Sequence, residues 1–354
     1  MKYRLLGHSG LRVSELALGA MTFGEDWGWG SPKDEARKIY DAYREAGGNF
    51  IDTANFYTGG SSERFVGEFM ASHRGEMVVA TKYTNAVPGR DANAGGNQRK
   101  SMLQSVEASL KRLGTDYIDL YWLHVWDSIT PAEEVMRAFD DLVRAGKILY
   151  IGISDAPAWV VAKSNTLAEL RGWTRYAGLQ INYSLLERTV ERELIPVAKD
   201  QGMTVVAWSP LHNGLLTGKY LPENKAAGSQ GTRLDSEMMK GFASVDKSGL
   251  VELNESGLRT VREVVAIAKE LGSSPAQVAL AWLRHRSVPV IPIIGARKLN
   301  QLEDNLKSLE IAFSPEHIRR LDDISAVSMG FPHDILSSAL SGSVFGGMRD
   351  QIIA

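Results

Sequence analysis

Eight short apolar runs rich in β-forming residues punctuate this 354-residue chain, at 16–23, 49–54, 77–83, 117–124, 148–154, 178–184, 203–210 and 288–295. Between most of them lies one amphipathic helical pattern, as at 34–46, 62–73, 98–113 and 131–145. These patterns are followed by Gly47, Gly75, Gly114 and Gly146, each placed to stop a helix. A helix between successive strands returns the chain to the end where it began, so the strands run parallel, and eight such units favour closure on themselves. The expected fold is α/β: one domain over residues 1–354, a (β/α)8 TIM barrel. Residues 2–14 are expected to form an N-terminal hairpin closing the barrel bottom, and a long loop is expected after strand 7. A doubly wound sheet would want Gly-x-Gly-x-x-Gly after an early strand, and the nearest fragment, Gly28-Trp29-Gly30, runs into Ser31-Pro32 instead.

Three stretches break the rhythm. Residues 211–256, after the seventh strand, carry Gly, Ser, Asn and charge, and a loop of that length in a compact domain is usually functional. Residues 85–97, with Pro88, Gly89, Gly95 and Gly96, form a second such loop. The tail from Met329 is Gly/Ser-rich and weakly periodic, and reads as a cover over the site or as partly disordered.

Composition narrows the function classes. A formal net charge of -2, with no long Lys/Arg run, argues against a nucleic-acid surface. The chain has 0 cysteines, so disulfides, thiolate catalysis and Cys-based metal sites are excluded, and no metal site is expected. Met1-Lys2-Tyr3-Arg4-Leu5-Leu6-Gly7 does not resemble a signal peptide, and no apolar run reaches the roughly 18 residues of a membrane span. A soluble, cytoplasmic protein with a small-molecule substrate and no membrane or nucleic-acid partner is the expectation; the oligomeric state stays open.

The chemistry lies at the strand ends. Asp52 closes the second run with Tyr57 just beyond it, Lys82 ends the third and His124 ends the fourth. All carboxyl ends of a parallel barrel open on one face, so the four can converge there. Strand alternation puts Phe50 with Asp52, Val78 and Ala80 with Lys82, and Leu120 and Trp122 with His124. A phenol needs a nearby ammonium to give up its proton usefully at neutral pH, and an ammonium in a partly buried mouth needs a carboxylate. Lys82 and Asp52 supply these. Tyr57 and His124 can then both donate to an alkoxide developing on a carbonyl substrate.

With these residues in view, the sequence resembles the aldo-keto reductase family over nearly its whole length. The resemblance is carried by Asp52-Thr53-Ala54-Asn55-Phe56-Tyr57 followed by Ser62-Glu63, by Ala80-Thr81-Lys82, and by Tyr121-Trp122-Leu123-His124. It continues through Gly146-Lys147-Ile148-Leu149-Tyr150-Ile151-Gly152-Ile153-Ser154, Gln180-Ile181-Asn182-Tyr183-Ser184, Ala207-Trp208-Ser209-Pro210-Leu211 and Gly214-Leu215-Leu216-Thr217-Gly218-Lys219. It implies that Tyr57 is the general acid, that Lys82, paired with Asp52, lowers its pKa, and that His124 orients the carbonyl oxygen. NADP(H) would lie across the barrel mouth with no Rossmann domain.

The same resemblance implies a cofactor site. Ser154 and Gln180 would hold the nicotinamide amide, with Asp155 where the family commonly has Asn, an oxygen acceptor that cannot donate from an amide. Thr22 and Asp52 would also border the cofactor. Trp208, Ser209, Pro210 and Leu211 would pass beneath the ring and pyrophosphate, and Asn213, Gly214, Leu216, Gly218, Lys219 and Arg233 would strap the pyrophosphate. Around Gly295, Arg297 is placed to grip a 2′-phosphate in the last βα loop, and Gln301 and Asn305 share a helix face toward the adenosine.

Of 8 tryptophans, Trp27, Trp29 and Trp126 fall in or beside loops where a substrate pocket would be lined, favouring apolar or aromatic carbonyl compounds, whereas Trp122, Trp173 and Trp282 read as packing. The expected function is NADPH-dependent reduction of aldehydes or ketones, reversible as alcohol oxidation. Two alternatives stay open: a Schiff-base aldolase using Lys82, and a non-catalytic cofactor-binding subunit similar to potassium-channel β-subunits.

Overall fold

The computed structural model describes residues 1–86, 91–227, 253–340, 342 and 344–352. It opens with an antiparallel pair, β1 (Tyr3–Leu5) and β2 (Arg12–Ser14). The barrel then follows as β3 (Ala17–Gly19), β4 (Phe50–Asp52), β5 (Val78–Tyr83), β6 (Ile118–Leu123), β7 (Ile148–Ser154), β8 (Tyr176–Asn182), β9 (Thr204–Trp208) and β10 (Val290–Gly295). These eight strands close in the order β10-β3-β4-β5-β6-β7-β8-β9, every pairing parallel.

Helices α1 (Lys33–Glu45), α2 (Ser61–Met70), α3 (Arg99–Leu113), α4 (Ala132–Arg144), α5 (Ala158–Arg171) and α6 (Leu194–Asp200) occupy the first six connections. α7 (Glu255–Glu270) and α8 (Pro275–Arg284) precede β10, and α9 (Leu299–Leu306), α10 (Pro315–Ile324) and α11 (His333–Leu340) follow it. Gly114, at φ 61, is the left-handed residue that ends α3, as the sequence suggests. Gly75 is not such a stop: α2 ends at Met70, and Gly75 sits inside a separate short turn, Arg74–Glu76.

Strand alternation sorts the apolar residues into two layers. Phe50, Val78, Ala80, Leu120, Trp122, Ala177, Val206 and Ile291 fill the barrel interior, joined from below by Leu6 and Val13 of the hairpin. Trp122 fits because its neighbours on the next two strands, Gly152 of β7 and Gly178 of β8, lack side chains. A Cβ on Gly152 would lie 2.2 Å from its ring and one on Gly178 2.7 Å from it. The larger second layer lies between the strands and the helices. The hairpin seals the bottom, where the Gly7 N–H donates to Thr204 Oγ1 at 2.7 Å.

Strands β3 and β4 are shorter than their apolar runs, because the chain turns out of the ladder just after each, the Phe23 N–H donating to Ala20 O at 3.0 Å and the Tyr57 N–H to Ala54 O at 3.2 Å. Residues 211–227 are wound into two short turns, His212–Thr217 and Pro222–Ala227, rather than left as open loop. The remainder of that loop at 228–252, which includes Arg233, and the loop tip with Pro88 and Gly89 lie outside the described residues. In the tail, α11 replaces the irregular segment expected there.

Candidate active site

The strand ends bring the four expected residues together. Lys82 is fully buried, and its three ammonium protons each have an acceptor: Asp52 Oδ2 in a short contact, Thr53 O at 2.9 Å and the Tyr57 hydroxyl at 3.2 Å. The other Asp52 oxygen accepts from Gln180 Nε2 at 2.8 Å. The Tyr57 and His124 rings meet edge-on, with centroids 5.9 Å apart. His124 is seated by its backbone, whose N–H donates to Thr84 Oγ1 at 3.3 Å.

Titration follows from this burial. For Lys82, burial opposes the charge, but Asp52 and Tyr57 outweigh it and the pKa rises, so the group is an ammonium. Burial together with the Lys82 charge holds His124 well below its ordinary value, hence neutral. The sequence-based expectation for Tyr57 needs correction. Burial dominates and lifts the phenol above its usual pKa, while Lys82 pulls the other way without reversing the sign. Asp155 is solvent-exposed, yet the protein atoms crowded around it take hydration from its charged form. Its pKa is pushed up to about 6, chiefly by that desolvation, against the opposing pulls of Trp208 and Lys82.

Above this cluster opens a cavity of about 940 Å³. Its walls include Thr22, Trp27, Trp29, Asp52, Tyr57, His124, Ser154, Asp155, Gln180, Trp208, Ser209, Pro210, Leu211, Asn213, Gly214, Lys219, Gly295, Arg297, Gln301 and Asn305. The last βα loop is tied to the first one: Thr22 Oγ1 donates to Ala296 O at 2.7 Å, Ser31 Oγ to Arg297 O at 3.0 Å, and the Leu299 N–H to Glu35 Oε1 at 2.8 Å. Gln301 Oε1 accepts from the Arg297 N–H at 2.9 Å, closing the turn into α9.

Some expected residues stand elsewhere. Leu216 is fully buried in the core and its N–H donates to Leu211 O, while Gly218 faces Val265, so neither reaches the cavity wall. Trp126 packs on the core and its N–H donates to Asp155 O at 3.2 Å; it is not a wall residue. Trp29 lines the cavity beneath the Arg297 guanidinium, 5.0 Å from it, whereas Trp27 is the tryptophan that meets Tyr57, at 6.2 Å. No described residue beyond Asn305 lines the cavity, so the described part of the tail does not cover it.

Other wall and support residues escaped the sequence reading. Phe56 faces His124 at 5.5 Å, and its place beside Tyr57 was the available signal. Asn97, fully buried, exchanges hydrogen bonds with Asp127, donating its N–H to Asp127 Oδ2 at 2.8 Å and accepting the Asp127 N–H at 2.8 Å. It also donates to Thr84 Oγ1 at 2.9 Å, bracing the turn that carries His124. Thr58, buried at φ 45, is a β-branched residue in left-handed backbone, held by donation to Phe23 O at 2.7 Å and acceptance of the Ser62 N–H at 3.0 Å.

Residues 15–326 match the model of the aldo/keto reductase family. The chain is 40% identical over 334 residues to a norsolorinic acid reductase of Emericella nidulans, covering 92% of this chain and 81% of that protein. It is 38% identical over 347 residues to the norsolorinic acid reductase of Aspergillus flavus, covering 94% and 84%. It is 37% identical over 340 residues to an NADP(+) aryl-alcohol dehydrogenase of Phanerodontia chrysosporium, covering 92% and 86%. A closed eight-stranded barrel, a buried carboxylate–ammonium–phenol cluster at its mouth and these likenesses lead to one conclusion: the chain is an oxidoreductase that belongs to the aldo/keto reductase family.

Proposed function

We propose that this protein reduces aromatic aldehydes or ketones with NADPH, and runs the same reaction backwards as an alcohol oxidation. The observation that carries this reading is the Tyr57 hydroxyl, 3.2 Å from an ammonium that Asp52 neutralises, in the wall of a cavity large enough for two ligands. Tyr57 holds a proton at neutral pH and delivers it to the carbonyl oxygen as negative charge develops there. Lys82 stabilises the phenolate left behind. His124, neutral, offers a ring N–H to the same oxygen. Lys82 is a poor candidate for Schiff-base chemistry, because an amine nucleophile must be deprotonated and this ammonium has every proton placed.

The residues present fit a nicotinamide dinucleotide. Ser154 Oγ is buried in the cavity wall with no protein partner, a polar atom awaiting a ligand. Gln180 donates one amide proton to Asp52, which leaves its oxygen and its second N–H for a carboxamide. Lys219 and Arg297 supply positive charge for phosphates. Bound there, the reduced nicotinamide supplies the hydride. NADP over NAD is supported by Arg297 and by the name of the Phanerodontia chrysosporium relative. Trp27 and Phe56, beside Tyr57, support an aromatic substrate, as does a relative named for an aryl alcohol.

The test is turnover of purified protein on aromatic and aliphatic aldehydes, with NADPH and NADH oxidation followed in parallel. NADPH consumption on aromatic aldehydes is the expected result. Binding of NADPH with no turnover on any carbonyl would favour the non-catalytic subunit, and trapping by borohydride only with substrate present would favour the aldolase.

A further inference from the structure

Asp155 is a carboxyl group in the wall of a cavity assigned here to a nicotinamide, and the two forms of that ring differ by a charge. The oxidised ring carries one positive charge and the reduced ring none. Asp155 is held at several points: Oδ1 accepts from Trp208 Nε1 at 2.9 Å, its N–H donates to Gln180 O at 3.3 Å and its carbonyl accepts from the Trp126 N–H at 3.2 Å. Its backbone is left-handed, at φ 43, directly after the end of β7. The partnerless Ser154 hydroxyl and the face of Trp208 share that wall.

Resting on the cofactor reading above, we infer that Asp155 sets the relative affinity of this mouth for oxidised and reduced nicotinamide, its carboxylate favouring the cationic ring and its neutral acid form losing that preference. The groups that act on it are Lys82 from β5, paired with Asp52 of β4, Tyr57 from the loop after β4 and Trp208 of β9, while His124 after β6 and Gln180 of β8 line the same cavity. Lys82 is held charged, Tyr57 protonated and His124 neutral around neutrality. Asp155, with its pKa lifted to about 6, is the member of this set that changes charge between mildly acidic and mildly alkaline solution. It is ionised above that value, so preference for the oxidised form grows as pH rises through it. The direction of the reaction follows: the protein holds its oxidised cofactor more firmly under alkaline conditions and releases it more readily in acid.

The experiment titrates oxidised and reduced NADP into the intact protein at about pH 5.5 and about pH 8, reading tryptophan fluorescence, with Asp155→Asn in parallel. The 2′-phosphate titrates in the same range, but it is common to both forms and cancels in the ratio of their Kd values. In the unaltered protein, preference for the oxidised form should rise about fivefold from the acid to the alkaline condition, the scale of one partly solvated charge pair. In Asp155→Asn, whose amide oxygen still accepts from Trp208, the ratio should stay flat at the acid value. A flat ratio in the unaltered protein overturns the inference whether or not the variant folds, as does a pH-dependent ratio in the variant. Failure of both forms to bind at either pH overturns the cofactor reading itself.

Discussion

Gln180 reaches across the barrel mouth to Asp52: its Nε2 lies 2.8 Å from Oδ1, between strands β8 and β4 that stand on opposite sides of the closed ring. The carboxylate is nearly inaccessible and has its other oxygen on Lys82, so this amide completes its shell. Gln180→Leu should destabilise the protein by about 1–3 kcal/mol, the cost of a buried acceptor left unmatched. Denaturant unfolding with an unchanged m-value checks it. A variant as stable as the parent would show that water replaces the amide.

Removing the ammonium should cost more. Lys82→Met leaves Asp52 buried without its cation, with an expected loss of about 3–5 kcal/mol. Adding Asp52→Asn should restore part of it, because the stranded charge is gone. A double-mutant cycle in urea measures the coupling. Strict additivity would mean that the contact contributes no coupling to stability.

Tyr57→Phe should lower reduction by about two to four orders of magnitude while NADPH still binds. The sign of the pH dependence is fixed by the raised phenol pKa. The acid form is the donor, so kcat/KM for reduction should hold through neutrality and fall only as pH rises above the ordinary tyrosine value of about 10. An alkaline limb that begins near neutral pH would place the proton donor elsewhere.

Arg297→Ala should weaken NADPH binding by about 1.5–3 kcal/mol, the range of a hydrogen bond to a charged group, and leave NADH nearly unchanged. Equal loss for both cofactors would mean that the guanidinium serves its stacking on Trp29 rather than a 2′-phosphate.

Trp27→Ala opens the wall beside Tyr57 and Phe56. KM for bulky aromatic aldehydes should rise severalfold more than for small aliphatic ones, with cofactor affinity steady. Equal shifts for both substrate sizes would return Trp27 to a packing role.

Much of this was legible in the chain. The period-two pattern that buries Phe50, Val78, Ala80, Leu120 and Trp122 also aims Asp52 and Lys82 at the mouth, so strand phase foretold the cluster. What strand phase does not reach is the strap after β9. There Ser209, His212, Asn213 and Gly214 take positive φ of 52, 47, 56 and 90, and each such residue redirects the chain. The family resemblance put Leu216 among the straps of the pyrophosphate, whereas its side chain is buried in the core. Trp126 diverged from expectation for a related reason, since its backbone partner Asp155 belongs to a different βα loop. The Asp52–Gln180 contact joins residues 128 positions apart, and neither local segment carries a mark of it.

The glycine-nested indole of Trp122 and the hairpin beneath it make this barrel a vessel with a solid base. Among the described residues, side chains fill the interior beneath the mouth. Something lodged above the floor beside Asp52 would block the exit of whatever lies beneath, so the expected order of departure for two guests sharing this mouth is the reverse of arrival.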